Sequence, residues 1–251
     1  MKKIKINKEK SIGSVIYIVE EEKTEPAILK HIFSKIFGYS VVSAIKNNYF
    51  SLESDKNKYS RVYIVVAEYP QINKLEESKD FFDNIYLNLT SNYNLDLENS
   101  AIFYIFDRDR KCNRPTNIKN NLKKYHNSRD NGNEMNGLFL LSYPSIEAFL
   151  CNSNQDEKCL SNGIEAKEYT SKFKIENISL NSLNISSEEF LKIYENICLK
   201  EFQIDLLDNF QEDNIKIFNY EEKMFNKKNT YKTLSLLILS LIDLGIIELE
   251  N

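Results

Sequence analysis

Tryptophan is absent from this 251-residue chain, and glycine (6), proline (4), methionine (3) and histidine (2) are scarce. Asn, Lys and Ile are abundant instead, a bias that reads as the codon usage of an AT-rich bacterial genome and excludes no function. The four cysteines, Cys112, Cys151, Cys159 and Cys198, form no Cys-x-x-Cys pair, and His31 and His126 stand apart. Structural zinc, whose ligands cluster at short spacings, is therefore not expected. Thiols so scattered in a chain this size also argue against a disulfide framework and for a reducing compartment. No Gly-x-Ser-x-Gly elbow, P-loop or dinucleotide fingerprint occurs, which sets aside triad hydrolase, ATPase and dehydrogenase chemistry. The opening MKKIKINKEKS is basic but lacks the apolar run of a signal peptide. The longest apolar stretch, Leu234 to Ile247, is interrupted by Ser235, Ser240, Asp243 and Gly245 and is too short to span a bilayer. A cytoplasmic protein with no membrane partner is expected. Excess positive charge is missing too: the net charge is −4, so an enzyme acting on nucleic acid must use a local basic patch or bound cations.

The composition, 42% hydrophobic and 28% charged, is that of a globular chain long enough for one large domain or a core plus an appendage. Strand-like and helix-like patterns alternate over the first half. Val15 to Val19, Val62 to Ala67, Ala101 to Phe106 and Leu138 to Leu141 read as core strands, and Val41 to Ile45 as a short edge strand. Thr24 to Phe37 reads as a helix capped by Thr24, with Pro26 in its first turn. Lys74 to Ser91 and Thr116 to His126 read as two more helices, and DNGNEMNG before Leu138 as a loop. Alternation of this kind implies an α/β fold with a mostly parallel, four-stranded sheet and right-handed crossovers. Asn152 to Gly163 is polar and linker-like, and helices are expected at Glu165 to Lys174, Ser187 to Leu207 and Thr230 to Leu244. The division expected is an α/β domain over 1–152 and a mainly helical region over 153–251. Helices this amphipathic must pack on the core or on a partner, a second copy of the chain included.

Two acidic segments carry the chemistry. In SVIYIVEEEKTEP an apolar run ends at Val19 and meets Glu20; in AIFYIFDRDRK a similar run ends at Asp107 and Asp109. Strands that deliver carboxylates at their C-terminal ends build ligand sites in open α/β sheets, and an all-oxygen set suits Mg²⁺ or Mn²⁺. Asp107 and Asp109, two apart, face one side of an extended strand end. They form a metal pair or a loop compensated by the interleaved Arg108 and Arg110. Lys23, at the opening of the first helix, is a phosphate anchor or a surface lysine. Glu147, in SYPSIEAFL, is a third strand-end carboxylate or a first-turn Glu favoured by the helix dipole.

Together these segments resemble the Toprim domain shared by topoisomerases, primases, recombination proteins and OLD-type nucleases. The local match is closer to RloB-like and abortive-infection members. Glu20-Glu21-Glu22-Lys23-Thr24-Glu25-Pro26 is similar to that group's Glu-Gly-x-Lys-Thr-Glu-Pro. Ile105-Phe106-Asp107-Arg108-Asp109 is similar to its apolar-Phe-Asp-Arg-Asp, and Ser142 to Glu147 to a later Ser-Asn-Pro motif followed by a hydrophobic residue and Glu. The resemblance covers the first 150 or so residues. It implies a Toprim-like fold and a metal-dependent nuclease acting on DNA or RNA, tRNA included, as an effector of bacterial anti-phage defence. It also implies Glu20, Asp107 and Asp109 as catalytic and metal-binding residues, with Glu147 a further ligand and Lys23, Arg108 and Arg110 meeting phosphate. An ABC-type ATPase is the implied partner, and a catalytically weak interaction or sensor subunit working with that ATPase is the rival reading. One departure stands out: Glu21 replaces the glycine after the first Glu, and a carboxylate there repels phosphate or adds a ligand.

Overall fold

The elements, in chain order, are β1 (Lys3–Ile6), β2 (Ser14–Val19), α1 (Thr24–His31, continued by a π turn over Ile32–Ile36), β3 (Tyr39–Ile45), β4 (Tyr49–Ser54), β5 (Arg61–Val66) and β6 (Ser100–Asp107). There follow α2 (Pro115–Lys124), β7 (His126–Asn127), β8 (Gly137–Tyr143), α3 (Ala148–Ser153), β9 (Cys159–Leu160), α4 (Gly163–Thr170), α5 (Leu180–Tyr194) and α6 (Phe210–Lys228). The chain closes with β10 (Tyr231–Lys232), β11 (Leu234–Ser235), α7 (Leu237–Asp243) and β12 (Ile247–Glu250). These come from a computed structural model, which describes residues 3–45, 48–67, 85, 87–108, 110, 114–129, 137–156, 158–199 and 210–250. The expected helix over Lys74 to Ser91 lies largely outside the described residues, as do Asp109, most of the DNGNEMNG loop and the end of the helix expected to reach Leu207.

The four apolar runs pair in parallel, in the order β8-β6-β2-β5. Their near-continuous burial (Val15 to Val19 and all of Gly137–Tyr143 are buried) is what a parallel sheet covered on both faces demands. The sheet does not stop at four strands. Antiparallel β4 and β3 extend it beyond β5, and β11 and β7 each pair antiparallel with β8, giving a mixed sheet of eight strands. Position β3 is an edge, as expected, with Val41, Val42 and Ile45 exposed. Gly137 opens β8 at φ +78°, and a Cβ there would stand 2.9 Å from the Tyr104 ring, so only glycine fits.

Residues beyond 153 are built into the same body. Strand β11 joins the sheet, β12 pairs with β1, and one core cluster runs from Ile12 to Ile247. Several expected boundaries move because local chemistry overrides periodicity. Ser179 accepts the Ser182 N–H and starts α5 at Leu180, ahead of Ser187; Asn162 likewise caps α4 through the Glu165 N–H. The stretch Thr230 to Leu244 divides into β10, β11 and α7 rather than forming one helix. Helix α6 and strand β4 were not anticipated from the sequence. Among the described residues no helix is long and apolar enough to cross a membrane.

Candidate active site

Strand β2 leads to β5 on one side and the chain then returns to place β6 on the other, so the direction of winding reverses between β2 and β6. In open α/β sheets the crevice beyond the carboxyl ends of the strands at such a switch point is where ligands bind. Glu20 follows the last residue of β2, and Asp107 ends β6. Register sets Val19 opposite Ile105 and Asp107 opposite Ser142, so β8 brings its own C-terminal turn alongside.

The carboxylates are held by backbone. The Asp107 N–H donates to Glu20 Oε2 at 3.0 Å, and the Ile146 N–H donates to Asp107 Oδ1 at 2.8 Å. Glu147 takes the capping position of α3, is buried, and accepts the Ser145 hydroxyl on Oε2 at 2.7 Å. Glu147 thus stands just before α3, and its charge is one of those that raise Asp107 and Glu25. Lys23 is the capping residue of α1 in place of Thr24, with its side chain exposed.

Glu25 was not singled out from the sequence, although it lies within the quoted Glu-Lys-Thr-Glu-Pro segment. It is 1% exposed in the first turn of α1, and neither carboxylate oxygen finds a hydrogen-bond partner in another residue. Burial above all, then the charges of Glu21, Glu20 and Glu147, push its pKa from 4.5 up to about 8. Asp107 is raised well above the ordinary carboxylate range by burial and by Glu25, Glu20 and Glu147. The neighbouring charges thus oppose ionisation of Glu25 and of Asp107 at one end of the sheet. Glu21 turns aside from them, accepting from Lys167 Nζ at 2.6 and 2.8 Å. Its backbone is not in the left-handed region, so the position has no conformational need for glycine.

Two expected phosphate ligands part company. Arg108 points into the interior with its side chain fully buried. Its Nε donates to Glu222 Oε1 on α6 at 2.8 Å, and its guanidinium lies 5.6 Å from the Phe218 ring centre. A buried ion pair, not a solvent-facing anion site, is what this arginine forms. Arg110 remains at the surface, 4.4 Å over Phe225, donating to Asn226 Oδ1 at 2.6 Å.

The donor set is all oxygen, and carboxylates gathered this closely, with both Glu25 oxygens buried and unbonded, are what a divalent cation relieves. Among the described residues no group of three or more His, Cys, Asp or Glu side chains is arranged to hold a metal ion. Asp109 lies outside them, so the chemistry of the set suits a hard cation while a closed cage is not preassembled. No protein-family model, curated protein or solved structure matches this chain.

Proposed function

We propose that this chain is a metal-dependent nuclease that hydrolyses phosphodiester bonds in DNA or RNA. The observation that carries the reading is the gathering of Glu20, Asp107 and Glu147 at the carboxyl ends of parallel strands, with buried Glu25 beside them. Glu20, Asp107, Asp109 and Glu147 would hold Mg²⁺ or Mn²⁺. The ion would supply charge stabilisation at the phosphate and a more acidic bound water. In hydrolysis water adds across a P–O bond: its oxygen joins phosphorus, its proton passes to a carboxylate such as Glu20, and the departing sugar oxygen is protonated. Lys23 and Arg110 offer positive charge to the phosphate oxygens. The motif resemblance adds a role in anti-phage defence, with an ABC-type ATPase as partner.

The test is cleavage of labelled DNA, RNA and tRNA with Mg²⁺ or Mn²⁺, for the wild type, Glu20→Gln and Asp107→Asn. Loss of a metal-dependent cleavage in both variants supports the nuclease. A second readout needs no activity: a cation bound at ~100 times its Kd stabilises the folded state by about 2.7 kcal/mol, and Asp107→Asn should lose most of that gain. A wild type that neither cleaves nor gains stability with metal would shift the reading to an interaction subunit.

A further inference from the structure

Away from the carboxylates lies a groove lined by several basic side chains. It has a volume of about 560 Å³ and opens between α2 and α6, lined among others by Arg110, Lys119, Lys223, Asn226 and Lys227. On α6, Asn219, Lys223, Asn226 and Lys227 recur at the i, i+4, i+7 and i+8 spacing of one helical face; Thr116 and Lys119 of α2 stand opposite. Glu222 is the one carboxylate among the lining residues, and its charge is already met. Arg108 lies at 2.8 Å, the Tyr231 hydroxyl donates at 3.2 Å, and Arg110 approaches to 3.7 Å. Arg108 and Arg110 share Glu222, and against that one carboxylate the lining also carries Lys119, Lys223 and Lys227, so the groove is net positive. In a chain of net charge −4 this is a local reversal of sign, the footprint expected of a polyanion site.

Two further features narrow the ligand. Arg110 follows Asp107 by three residues, so the groove begins within roughly 10 Å of chain from the carboxylate site. Arg110 also sits over the Phe225 ring, 4.4 Å from its centre, and an arginine beside an aromatic ring is a cation on which an unpaired base can stack. The amide of Asn219 on the same face adds hydrogen-bonding capacity beside the lysines.

We propose that this groove holds the phosphodiester backbone of a single-stranded nucleic acid and leads it toward the carboxylates. The proposal rests on the nuclease reading and identifies where its substrate lies. The probe is a fluorescent strand of ~20 nucleotides, longer than the ~4–16-nucleotide sites typical of single-strand binders, made as DNA and as RNA. Anisotropy is recorded in EDTA across a salt series, so that binding is read without cleavage. The proteins are wild type, Lys223→Gln/Lys227→Gln, and a control, Lys35→Gln/Lys58→Gln, that removes the same charge at exposed sites elsewhere. All of these positions are solvent-facing, so folding is not at stake. Each single-strand phosphate contact contributes about −0.7 to the slope of log K against log salt. The groove variant should therefore lose about 1.4 of that slope, and the control none. An equal slope in groove variant and wild type, an equal loss in the control, or no binding by wild type at low salt overturns the proposal. A wild type that binds the strand but never cleaves it with metal keeps the groove and removes the nuclease. A wild type that cleaves while the groove variant binds unchanged does the reverse.

Discussion

Arg108→Ala separates a structural arginine from a phosphate ligand. The side chain is fully buried, its Nε is 2.8 Å from Glu222 Oε1, and Glu222 is itself 11% exposed. Removing one partner of such a pair strands the other charge in the interior, which costs about 3–5 kcal/mol. Glu222 keeps the Tyr231 hydroxyl at 3.2 Å and Arg110 at 3.7 Å, so the lower end, about 3 kcal/mol, is expected. For a chain of this size that is a fall in Tm of about 6–12 °C, readable by thermal or urea unfolding in EDTA. Replacing both partners, as Arg108→Met/Glu222→Met, removes both buried charges and should recover most of the loss. Strand binding by the folded Arg108→Ala protein should weaken but persist, because Glu222 then offsets one groove cation while the lysines remain. An unchanged Tm together with lost strand binding would refute this reasoning and return Arg108 to the phosphate.

Glu25 makes stability depend on pH in a direction opposite to that of most carboxylates. Its folded pKa is raised from 4.5 to about 8, so between those values the folded chain holds a proton that the unfolded chain releases. Stability is thus unpenalised below about pH 4.5 and falls by up to ~1.4 kcal/mol per pH unit until the penalty saturates near pH 8. In EDTA, Glu25→Gln should reduce that fall, leaving the shares that come from Asp107, Glu221 and Asp243; a wild type whose stability rises from pH 5 to 8 would contradict it. Gly137→Ala should destabilise by roughly 1–3 kcal/mol through its positive φ alone. The 2.9 Å approach to Tyr104 adds to this, and urea unfolding within about 0.5 kcal/mol of wild type would show that β8 begins elsewhere.

The central strands were legible because parallel strands buried on both faces leave unbroken apolar, β-branched and aromatic runs. SVIYIV, RVYIVV and SAIFYIFD each announce themselves, and Glu20 and Asp107 lie where the first and last of these runs end. The additions at the sheet's margins left no such signal. The run YFSLES mixes serine into a buried stretch, and β11 is two residues long, too short for any periodicity. The α6 segment FQEDNIKIFNYEEKMFNKK spaces its apolar residues thinly, since one side meets the core and the other borders the basic groove.

The same logic explains which site residues could be assigned before the fold was known. Glu20 and Asp107 are fixed by strands adjacent in the sheet, so their neighbours in sequence already state their position. Arg108 and Arg110 look equivalent on paper, two apart in one basic run, yet one is buried against Glu222 and the other lies over Phe225. What divides them is α6, whose Glu222 is 114 residues further along the chain. Local pattern carries no information about that helix docking beside α2. Glu25 fails for a related reason. A glutamate in the first turn of a helix is ordinarily a solvated dipole partner, and only the packing of α1 against the sheet turns it into a buried carboxyl with a raised pKa. The carboxylate cluster is therefore a property of strand ends, while the basic groove is built on a helix from much later in the chain. A truncation after residue 153 would remove both the partner of Arg108 and two of the groove's lysines. Any catalysis that survived such a truncation would show that the carboxylates act without this groove.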